Sequence, residues 1–205
     1  MSDYTTTAAV KRQLNIGQTE INTVDDDLID VYVTQASQAI DTFTGRTFSE
    51  SIGTLYYDAR YPVIEGRILY FDQDYLGVDA VSNGVNGTIN PANYRLLPQH
   101  YAPKYALQLL DQSGLSWQVG NDGGAQNAIT VIGTTGYCLA SSRPADITLA
   151  ATKLAAWLYQ NRDNDGAIIQ MADGTTSIPA EAPAVVLKLL DKYIRRVAYT
   201  GGAHG

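Results

Sequence analysis

The side chains that most often carry out catalysis or bind metal ions are few in this sequence. The chain has two histidines, with His100 in a loop between two prolines and His204 in a glycine-rich tail. Neither has a second metal ligand at helical spacing, so no histidine metal site is predicted. Histidine-dependent serine or cysteine catalysis would need one of them, and the nucleophile-elbow pattern G-x-S-x-G is absent. The single cysteine, Cys138, is predicted to be a small buried side chain at the end of a strand.

Three short segments resemble sites of known chemistry only in part. Asp72 and Asp74 could lie on one strand face as a carboxylate pair, as in glycosidases. The segment 161–166, NRDNDG, resembles the start of a calcium loop, but Ala172 stands where the chelating Glu is needed, so a helix-ending turn is favoured. The segment 120–124, GNDGG, lacks the GK[ST] ending of a phosphate-binding loop. The chain is therefore predicted not to be an enzyme and to hold no cofactor or metal.

The composition is that of a globular protein. The 205 residues are 45% apolar and 17% charged, which suffices for a packed core, and no apolar run is long enough for a transmembrane helix. A secretory signal is not predicted, because the first residues lack a basic start followed by an apolar stretch. A lone cysteine is typical of a chain made in a reducing cytoplasm. The formal charge of −7 argues against a general nucleic-acid-binding protein, because such proteins carry a basic face.

Acidic and basic residues concentrate in different parts of the chain. Glu20–Asp30 holds five acids and no base, whereas Pro183–Thr200 holds four bases against the single Asp191. The four bases are Lys188, Lys192, Arg195 and Arg196. This pattern suits subunits that stack against each other, and it equally fits two ordinary solvated helix faces.

Four amphipathic helices are predicted, two in each end region of the chain. Thr5–Leu14 forms a short first helix, and the second opens with a capping-box pattern at Thr23 and ends at Gly45. The third and fourth helices open at Pro144 and Pro183, since proline fits the first turn of a helix. The apolar stripes are Leu28, Tyr32, Ala36, Ala39, Ile40 and Phe43 in the second helix; Ile147, Ala150, Ala151, Leu154, Ala155 and Leu158 in the third; and Val186, Leu187, Leu190, Tyr193, Ile194 and Val197 in the fourth.

Between Ile52 and Tyr137 the pattern changes to that of strands. Short runs rich in Tyr, Val, Ile and Leu are separated by Gly, Asn, Pro and Asp, which predicts an antiparallel β region of about six or seven strands. The runs are GTLYYDAR, GRILYFD, GVDAVSN, NYRLLP, YALQLLD, LSWQV and AITVIGTTGY. Nine of the fourteen tyrosines lie in this region, and tyrosine suits a half-buried pleated surface.

Neither pair of helices can bury its apolar stripes alone, so one helical core built from both end regions is the economical fold. The predicted class is α+β, with about four helices and an antiparallel β region inserted between the second and the third. The predicted boundaries are 1–50 and 142–200 for the helical core, 51–141 for the β insertion and 201–205 for a flexible tail. The segment AIIQMADGTTSIP is predicted to be a small hairpin or an extended loop, because Asp173-Gly174 is a favoured turn pair.

Three blocks of residues, in this order, resemble the head–tail connector (adaptor) proteins of tailed bacteriophages. The first joins VKRQLNI to an acid-opened helix that ends in D-x-F-T-G-R-x-F, from Asp41 to Phe48. The second is RPADITLAATKLAAWLYQNRD and the third is PAVVLKLLDKYIRR. YRLLP and ITVIGTTGY loosely resemble the β insertion of the longer members. Within the first block, Gly45 is predicted to stop the helix and Arg46 to bind a nearby carboxylate or carbonyl, in preference to an interface role.

The resemblance implies a structural protein of the virion. Such proteins form a ring, typically of twelve copies, on the portal protein at the capsid vertex, and they complete the head. The ring extends the DNA channel and joins the head to the next neck, stopper or tail protein. This implies a location at the head–tail interface after assembly in the host cytoplasm, with no membrane. DNA would pass without sequence-specific binding, since an acidic subunit offers phosphates little attraction.

The resemblance also implies where the contacts lie. In that family the C-terminal segment usually grips the portal, and the matching residues here are Lys188, Lys192, Arg195, Arg196, Tyr199, Thr200, Gly201 and Gly202. Loops on the other side meet neighbouring subunits or the next ring, and the candidates here are Ile168, Ile169, Met171, Asp173 and Ile178. The acidic stretch could meet a basic surface or line the lumen. A stopper or tail-completion ring is a second possible position. A carbohydrate-binding or hydrolytic phage module, using the tyrosine-rich β region, is the alternative from a different class.

Overall fold

A computed structural model describes residues 2–14, 23–163 and 177–195 of the chain. These residues form four α-helices and a six-stranded antiparallel sheet, so the predicted α+β class is confirmed. The helices are α1 (Thr7–Gln13), α2 (Thr23–Thr44), α3 (Ala145–Gln160) and α4 (Ala184–Leu190). No helix in this part of the chain is long and apolar enough to cross a membrane.

The chain divides into two compact units. As far as their residues are described, the helical unit draws on Met1–Phe48 and Ala140–Arg196, and the sheet unit on Ser49–Leu139. All four helices belong to the first unit and all six strands to the second. The helical unit is therefore made from two separate parts of the chain, as the short apolar stripes of its helices require.

In the helical unit, α3 packs against the other three helices. Its predicted apolar stripe is buried throughout, from Ile147 to Leu158. In α2 the buried stripe differs from the prediction, because Ile29 and Val33 are fully buried whereas Leu28 and Phe43 are only half-buried. The other four predicted positions, Tyr32, Ala36, Ala39 and Ile40, are buried, so the predicted stripe is right in its middle and differs only near the two ends of the helix.

The helix ends show how side chains set the limits of each element. Thr6 caps α1, because its hydroxyl accepts a hydrogen bond from the amide of Ala9 at 3.2 Å. The capping-box pattern predicted that Thr23 is the N-cap residue that precedes α2. In the structure Thr23 is instead the first residue of the helix. Pro144 and Pro183 likewise precede α3 and α4 as their N-cap residues. Gly45 ends α2 with a φ of 64°, a left-handed conformation that glycine adopts without strain.

The last helix is shorter than its apolar pattern predicted. α4 ends at Leu190, and a single 3₁₀ turn, Asp191–Tyr193, follows it. The backbone leaves the helical conformation at Ile194. There the carbonyl of Tyr193 accepts a hydrogen bond from Arg46, and the amide of Arg195 donates to the carbonyl of Thr44. Tertiary contacts therefore override the helical periodicity beyond Leu190. The predicted stripe position Val197 lies outside the described residues.

The sheet has the strand order β1-β6-β3-β5-β4, with the short β2 paired to the start of β3. The strands are β1 (Ser51–Tyr57), β2 (Ile64–Glu65), β3 (Ile68–Asn83), β4 (Tyr94–Leu97), β5 (Lys104–Leu109) and β6 (Ile129–Thr135). β1 and β4 are its two edges, and the inner face carries a core that includes Phe71, Leu107 and Val131.

Three of the predicted strands differ from the structure. GRILYFD and GVDAVSN form one long strand, β3, whose register shifts twice where it pairs with β6. These irregularities let the strand continue through Gly77 without a turn. LSWQV is not a strand, because the side chain of Asn83 holds this segment in place. Its amide group donates to the carbonyl of Ser116 at 2.9 Å and accepts from the amide of Gln118 at 2.9 Å.

Candidate functional site

The D-x-F-T-G-R-x-F segment is where the separate parts of the helical unit meet. Phe48 has no exposed surface. Its ring makes edge-to-face contacts with the rings of Tyr4, at 5.8 Å between centroids, and Tyr193, at 5.5 Å. Such aromatic pairs stabilise a fold beyond the area that they bury. The aromatic group formed by Tyr4, Phe48 and Tyr193, with Asp41 and Arg143 beside it, is called the Phe48 junction below.

Hydrogen bonds fix the backbone of Phe48 in this junction. Its amide donates to the hydroxyl of Tyr4 at 2.8 Å, and its carbonyl accepts from Nε of Arg143 at 3.0 Å. Arg143 also lies over the ring of Tyr4, 4.5 Å from its centroid. Because buried backbone groups are costly to leave unpaired, these contacts specify how the chain leaves α2.

Asp41 and Tyr4 form the titratable pair of the junction. The hydroxyl of Tyr4 donates to Oδ1 of Asp41. Burial is the main cause that raises the pKa of both groups, and for Tyr4 the hydrogen bond to Asp41 raises it further. Burial raises the pKa of Asp41 to about 6, against the hydrogen bond from Tyr4 and the positive charge of Arg143, which lower it. The pair therefore couples the folding of this region to pH.

Arg46 links the end of α2 to the end of the fourth helix. Its Nε donates to the carbonyl of Tyr193 at 2.7 Å, so the predicted role of Arg46 as a partner for a carbonyl is confirmed. The amide of Arg195 donates to the carbonyl of Thr44 at 2.7 Å. These bonds hold residues 193–195 against the end of α2.

The predicted portal-contact residues have different environments where they are described. Lys188 is exposed on α4. Lys192 is exposed too, but its Nζ lies 2.5 Å from Oδ2 of Asp146, and this hydrogen bond is the main cause that raises the pKa of Lys192. Arg195 is half-buried. The other candidates, Arg196, Tyr199, Thr200, Gly201 and Gly202, lie outside the described residues.

The candidate contacts to neighbouring subunits lie mostly in a stretch that is not described. Ile178 is half-buried. Ile168, Ile169, Met171 and Asp173, and with them the predicted hairpin or loop, lie outside the described residues.

Part of the predicted acidic stretch is neutralised within the helical unit. Asp26, in the first turn of α2, forms an ion pair with Lys11 of α1. Asp30, one turn further along, accepts a hydrogen bond from the hydroxyl of Thr7. Asp27 is exposed. These contacts fix α1 against α2, so the acids of this stretch have a structural role as well as contributing negative surface.

The carboxylate pair considered for hydrolysis does not form an open site. Asp72 is exposed, whereas Asp74 is 5% exposed, so the two side chains do not face a common solvent space. Oδ1 of Asp72 accepts from the hydroxyl of Tyr57 at 3.0 Å, and that hydroxyl lies 3.2 Å from the hydroxyl of Tyr75. Burial raises the pKa of both tyrosines. This group is a packed polar cluster of the sheet core.

The other residues singled out for chemistry are also separate from one another. His100 is exposed in the loop between β4 and β5. Cys138 lies in the bend after β6 and is half-buried, so the prediction of a buried side chain is wrong. Within residues 2–14, 23–163 and 177–195, no group of three or more His, Cys, Asp or Glu side chains could hold a metal ion.

Four exposed tyrosines of the β region lie on four different elements. Tyr61 and Tyr101 lie in two different loops, while Tyr56 and Tyr105 lie on strands β1 and β5. All four are exposed. A shallow groove beside β4 and β5 is lined by Arg95, Gln108, Leu109, Leu110, Asp111 and Gln112, none of them aromatic. The convergent aromatic rings that a sugar site needs are not assembled there.

The edge strand β1 is the feature that the sequence reasoning missed. Its outer face exposes Ile52 (79%) and Tyr56 (61%), and the neighbouring β6 exposes Ile132 (41%). The run GTLYYDAR was predicted to be a strand, and β1 spans the overlapping run SIGTLYY, but periodicity does not tell an edge strand from a central one. The complete absence of charge in this run was the available signal.

Comparisons with known proteins give similarity at the level of fold. No protein-family model matches the chain, and no curated protein matches it in sequence. The chain is similar to a chain in the neck of an empty GTA particle computed with C6 symmetry, with a TM-score of 0.61 and 21% identity over 96% of this chain and 91% of that one. It is equally similar, by the same measures, to a chain in the virion of a native gene transfer agent (GTA) particle. At this identity the likeness shows a shared fold over nearly the whole length of both chains.

Proposed function

We propose that this protein is a structural subunit of the neck of a phage-like particle, where it joins the head to the tail. The observation that carries the proposal is the fold likeness to a chain of a GTA neck, which extends over 96% of this chain and so includes both the helical and the sheet residues. The resemblance of the three helical blocks to phage head–tail connectors was independent of that likeness and supports the same role.

In this proposal the protein forms a ring on the portal, typically of twelve copies, through which DNA passes. Residues 1–50 and 142–200 form the connector core, and residues 51–141 form the β insertion. The net charge of −7 suits a DNA channel, because a subunit that offers few cations to phosphates does not retain the passing DNA. Assembly would take place in the host cytoplasm, and a stopper position in the neck is the alternative within the same role.

The C-terminal segment is the proposed portal-binding element. The contacts at the end of α2 support this, because the bonds of Arg46 to Tyr193 and of Arg195 to Thr44 anchor the start of this segment on the helical unit. Lys188 adds an exposed positive charge on α4. A portal surface that receives this segment would be acidic. The exposed Lys192 is partly neutralised by Asp146, so Lys188 is expected to contribute more to such binding.

Substitution and deletion test that assignment. Lys188→Glu, and separately removal of residues 200–205, should weaken binding of the purified protein to the portal encoded in the same genome. Arg12→Glu is the matched control, since Arg12 is an exposed base on α1. Full portal binding by both the Lys188→Glu protein and the truncated protein would contradict the assignment of the C-terminal segment.

A particle assay tests the role itself. Loss of the gene should give DNA-filled heads and free tails that fail to join, visible by electron microscopy, and the gene supplied in trans should restore tailed particles. Production of normal tailed, infectious particles without the gene would contradict the neck assignment. Retained assembly combined with loss of binding to host glycans would instead favour the carbohydrate-binding alternative.

A further inference from the structure

The edge strand β1 lacks the devices that usually keep a sheet edge from pairing with another chain. Its seven residues, Ser51–Tyr57, include no charge and no proline, and its register with β6 runs without a bulge. The opposite edge, β4, is four residues long, carries Arg95 and is followed by Pro98. Among the described residues β1 pairs with β6 alone, so its outer edge presents unpaired backbone donors and acceptors.

The side chains of this edge are exposed to an unusual degree. Ser51, Ile52, Gly53 and Thr54 are exposed in succession, and Tyr56 follows at 61%. Ile52, Thr54 and Tyr56 lie on one face of the strand, because side chains alternate along it. A β-branched residue and an aromatic ring left in water on an uncharged edge indicate a surface that another strand covers.

The sequence of β1 is complementary to itself in one antiparallel register. A two-fold axis at Thr54 places Ile52 of each copy opposite Tyr56 of the other and sets the two Thr54 side chains opposite each other. Pairs of an aromatic with a β-branched residue, and pairs of threonines, are among the favourable cross-strand pairs. The two-fold axis must pass through a residue and not between two residues. Shifting one strand by one position would pair residues whose side chains point to opposite faces of the sheet.

Neighbouring registers are less favourable. An axis at Gly53 would place Glu50 opposite Tyr56, and an axis at Leu55 would place Ile52 opposite Asp58. Only the axis at Thr54 pairs all seven uncharged residues with one another. Glu50 then stands opposite Asp58, whose carboxylate lies 2.7 Å from the guanidinium of Arg60, so that ion pair reduces the repulsion at each end.

We propose that the outer edge of β1 binds β1 of a second copy of this chain, antiparallel and with the two-fold axis at Thr54. The occupant is a second copy because the edge is self-complementary, and an isologous contact of this kind closes on two subunits. The inference goes beyond the proposed neck role and does not depend on it. It concerns the free subunit, since a two-fold contact cannot by itself propagate around a ring.

Charge placed on the axis tests the proposal. Thr54→Lys sets two ammonium groups directly opposite each other, so the dimer measured for the full chain by sedimentation velocity should weaken by at least about tenfold in Kd. Thr130→Lys is the matched control, because Thr130 lies on the adjacent β6 opposite Tyr56 and away from the edge. Its dimer should persist, and circular dichroism should show both variants folded.

A cysteine cross-link tests the register and does not rely on a destabilising charge. In a Cys138→Ser background, Thr54→Cys should form a disulfide-linked dimer on mild oxidation. Ser51→Cys should not, since the two Ser51 positions would lie six residues apart along the paired strands, roughly 20 Å. Equal cross-linking of both variants would contradict the register.

Other outcomes would overturn the proposal altogether. A wild-type chain that stays monomeric at high concentration would do so, and would suggest that the edge is covered by residues 196–205 or by another protein. A dimer unaffected by Thr54→Lys would place the contact elsewhere. Portal binding by the Thr54→Lys protein separates this inference from the neck assignment: portal binding should be retained, and its loss would mean that β1 serves the neck contact instead.

Discussion

At the scale of single residues, the Phe48 junction explains how two distant parts of the chain form one helical unit. Tyr4 contributes a ring to Phe48, a donor to Asp41 and an acceptor to the amide of Phe48. One side chain thus satisfies two polar groups and also packs against the ring of Phe48. Arg143, from the second part of the chain, closes the group by binding the carbonyl of Phe48.

Removing the hydroxyl of Tyr4 should destabilise the protein while leaving the aromatic packing in place. Tyr4→Phe leaves the amide of Phe48 without its acceptor and Asp41 without its donor, so we expect a loss of about 1–3 kcal/mol in the free energy of unfolding. Urea titration followed by circular dichroism measures it. Tyr61→Phe, at a site that is 67% exposed, is the control and should change stability by less than about 0.5 kcal/mol. Equal stability of the two variants would contradict this role of Tyr4.

The raised pKa of Asp41 predicts a pH dependence with a defined sign. The folded-state value of about 6 lies above the ordinary 3.8, so the folded protein holds this proton more tightly than the unfolded chain. The contribution of Asp41 to stability is therefore fully present below about pH 4 and is lost as the pH rises through about 6. The Asp41→Asn variant lacks this ionisation. The free energy of unfolding of the variant minus that of the wild type should therefore increase by about 1–2 kcal/mol from pH 4 to pH 7.

Urea titrations of both proteins at the two pH values measure the difference. The double variant Tyr4→Phe/Asp41→Asn, compared with Tyr4→Phe, should show a larger pH effect, since the hydrogen bond from Tyr4 lowers the pKa of Asp41. A stability difference between Asp41→Asn and the wild type that does not change with pH would contradict the assignment.

At the scale of elements, β3 and β6 approach each other closely at Gly133. A Cβ atom there would lie 2.3 Å from the carbonyl oxygen of Gly77, a distance that requires the backbone to move. Gly133→Ala should therefore lower the free energy of unfolding by about 1–3 kcal/mol. Gly53 is the matched control: it pairs with Gly133 across β1 and β6, yet a Cβ at Gly53 meets nothing within 4 Å. Thermal unfolding of the two alanine variants measures the contrast, and equal melting temperatures would contradict the close approach.

The periodicity of the sequence was sufficient to locate the helices. The features that it did not predict are determined by tertiary contacts. The stripe of α3 and the stop at Gly45 follow from local spacing and backbone conformation, so they could be predicted. The end of α4 could not, because the hydrogen bond from Arg46 to Tyr193 joins residues 147 positions apart. The irregular segment after Ser113 depends in the same way on the side chain of Asn83, which local propensity does not reveal.

The position of β1 at the edge of the sheet could not be predicted from its local sequence. Ile52 and Tyr56 fit a strand pattern equally well in the centre of a sheet or at its edge. Their exposure follows from the strand order, which is set by pairings between segments as distant as β1 and β6. The predicted contact residues beyond Arg195 and around Met171 stay predictions, since they lie outside the described residues.

At the scale of the whole molecule, the net charge and the fold are both compatible with the proposed neck role. The net charge is −7, and two of the bases, Lys11 and Lys192, are paired with Asp26 and Asp146. An acidic subunit of this fold suits a channel that DNA crosses without binding. The portal is the partner that would distinguish a neck subunit from any other protein of this fold.

The mass of the purified protein, measured by light scattering alone and after mixing with the portal from the same genome, tests the neck assignment most directly. The account predicts a large complex in the mixture that contains a fixed number of copies per portal and is present in neither protein alone. An unchanged mass for both proteins at all mixing ratios would contradict it.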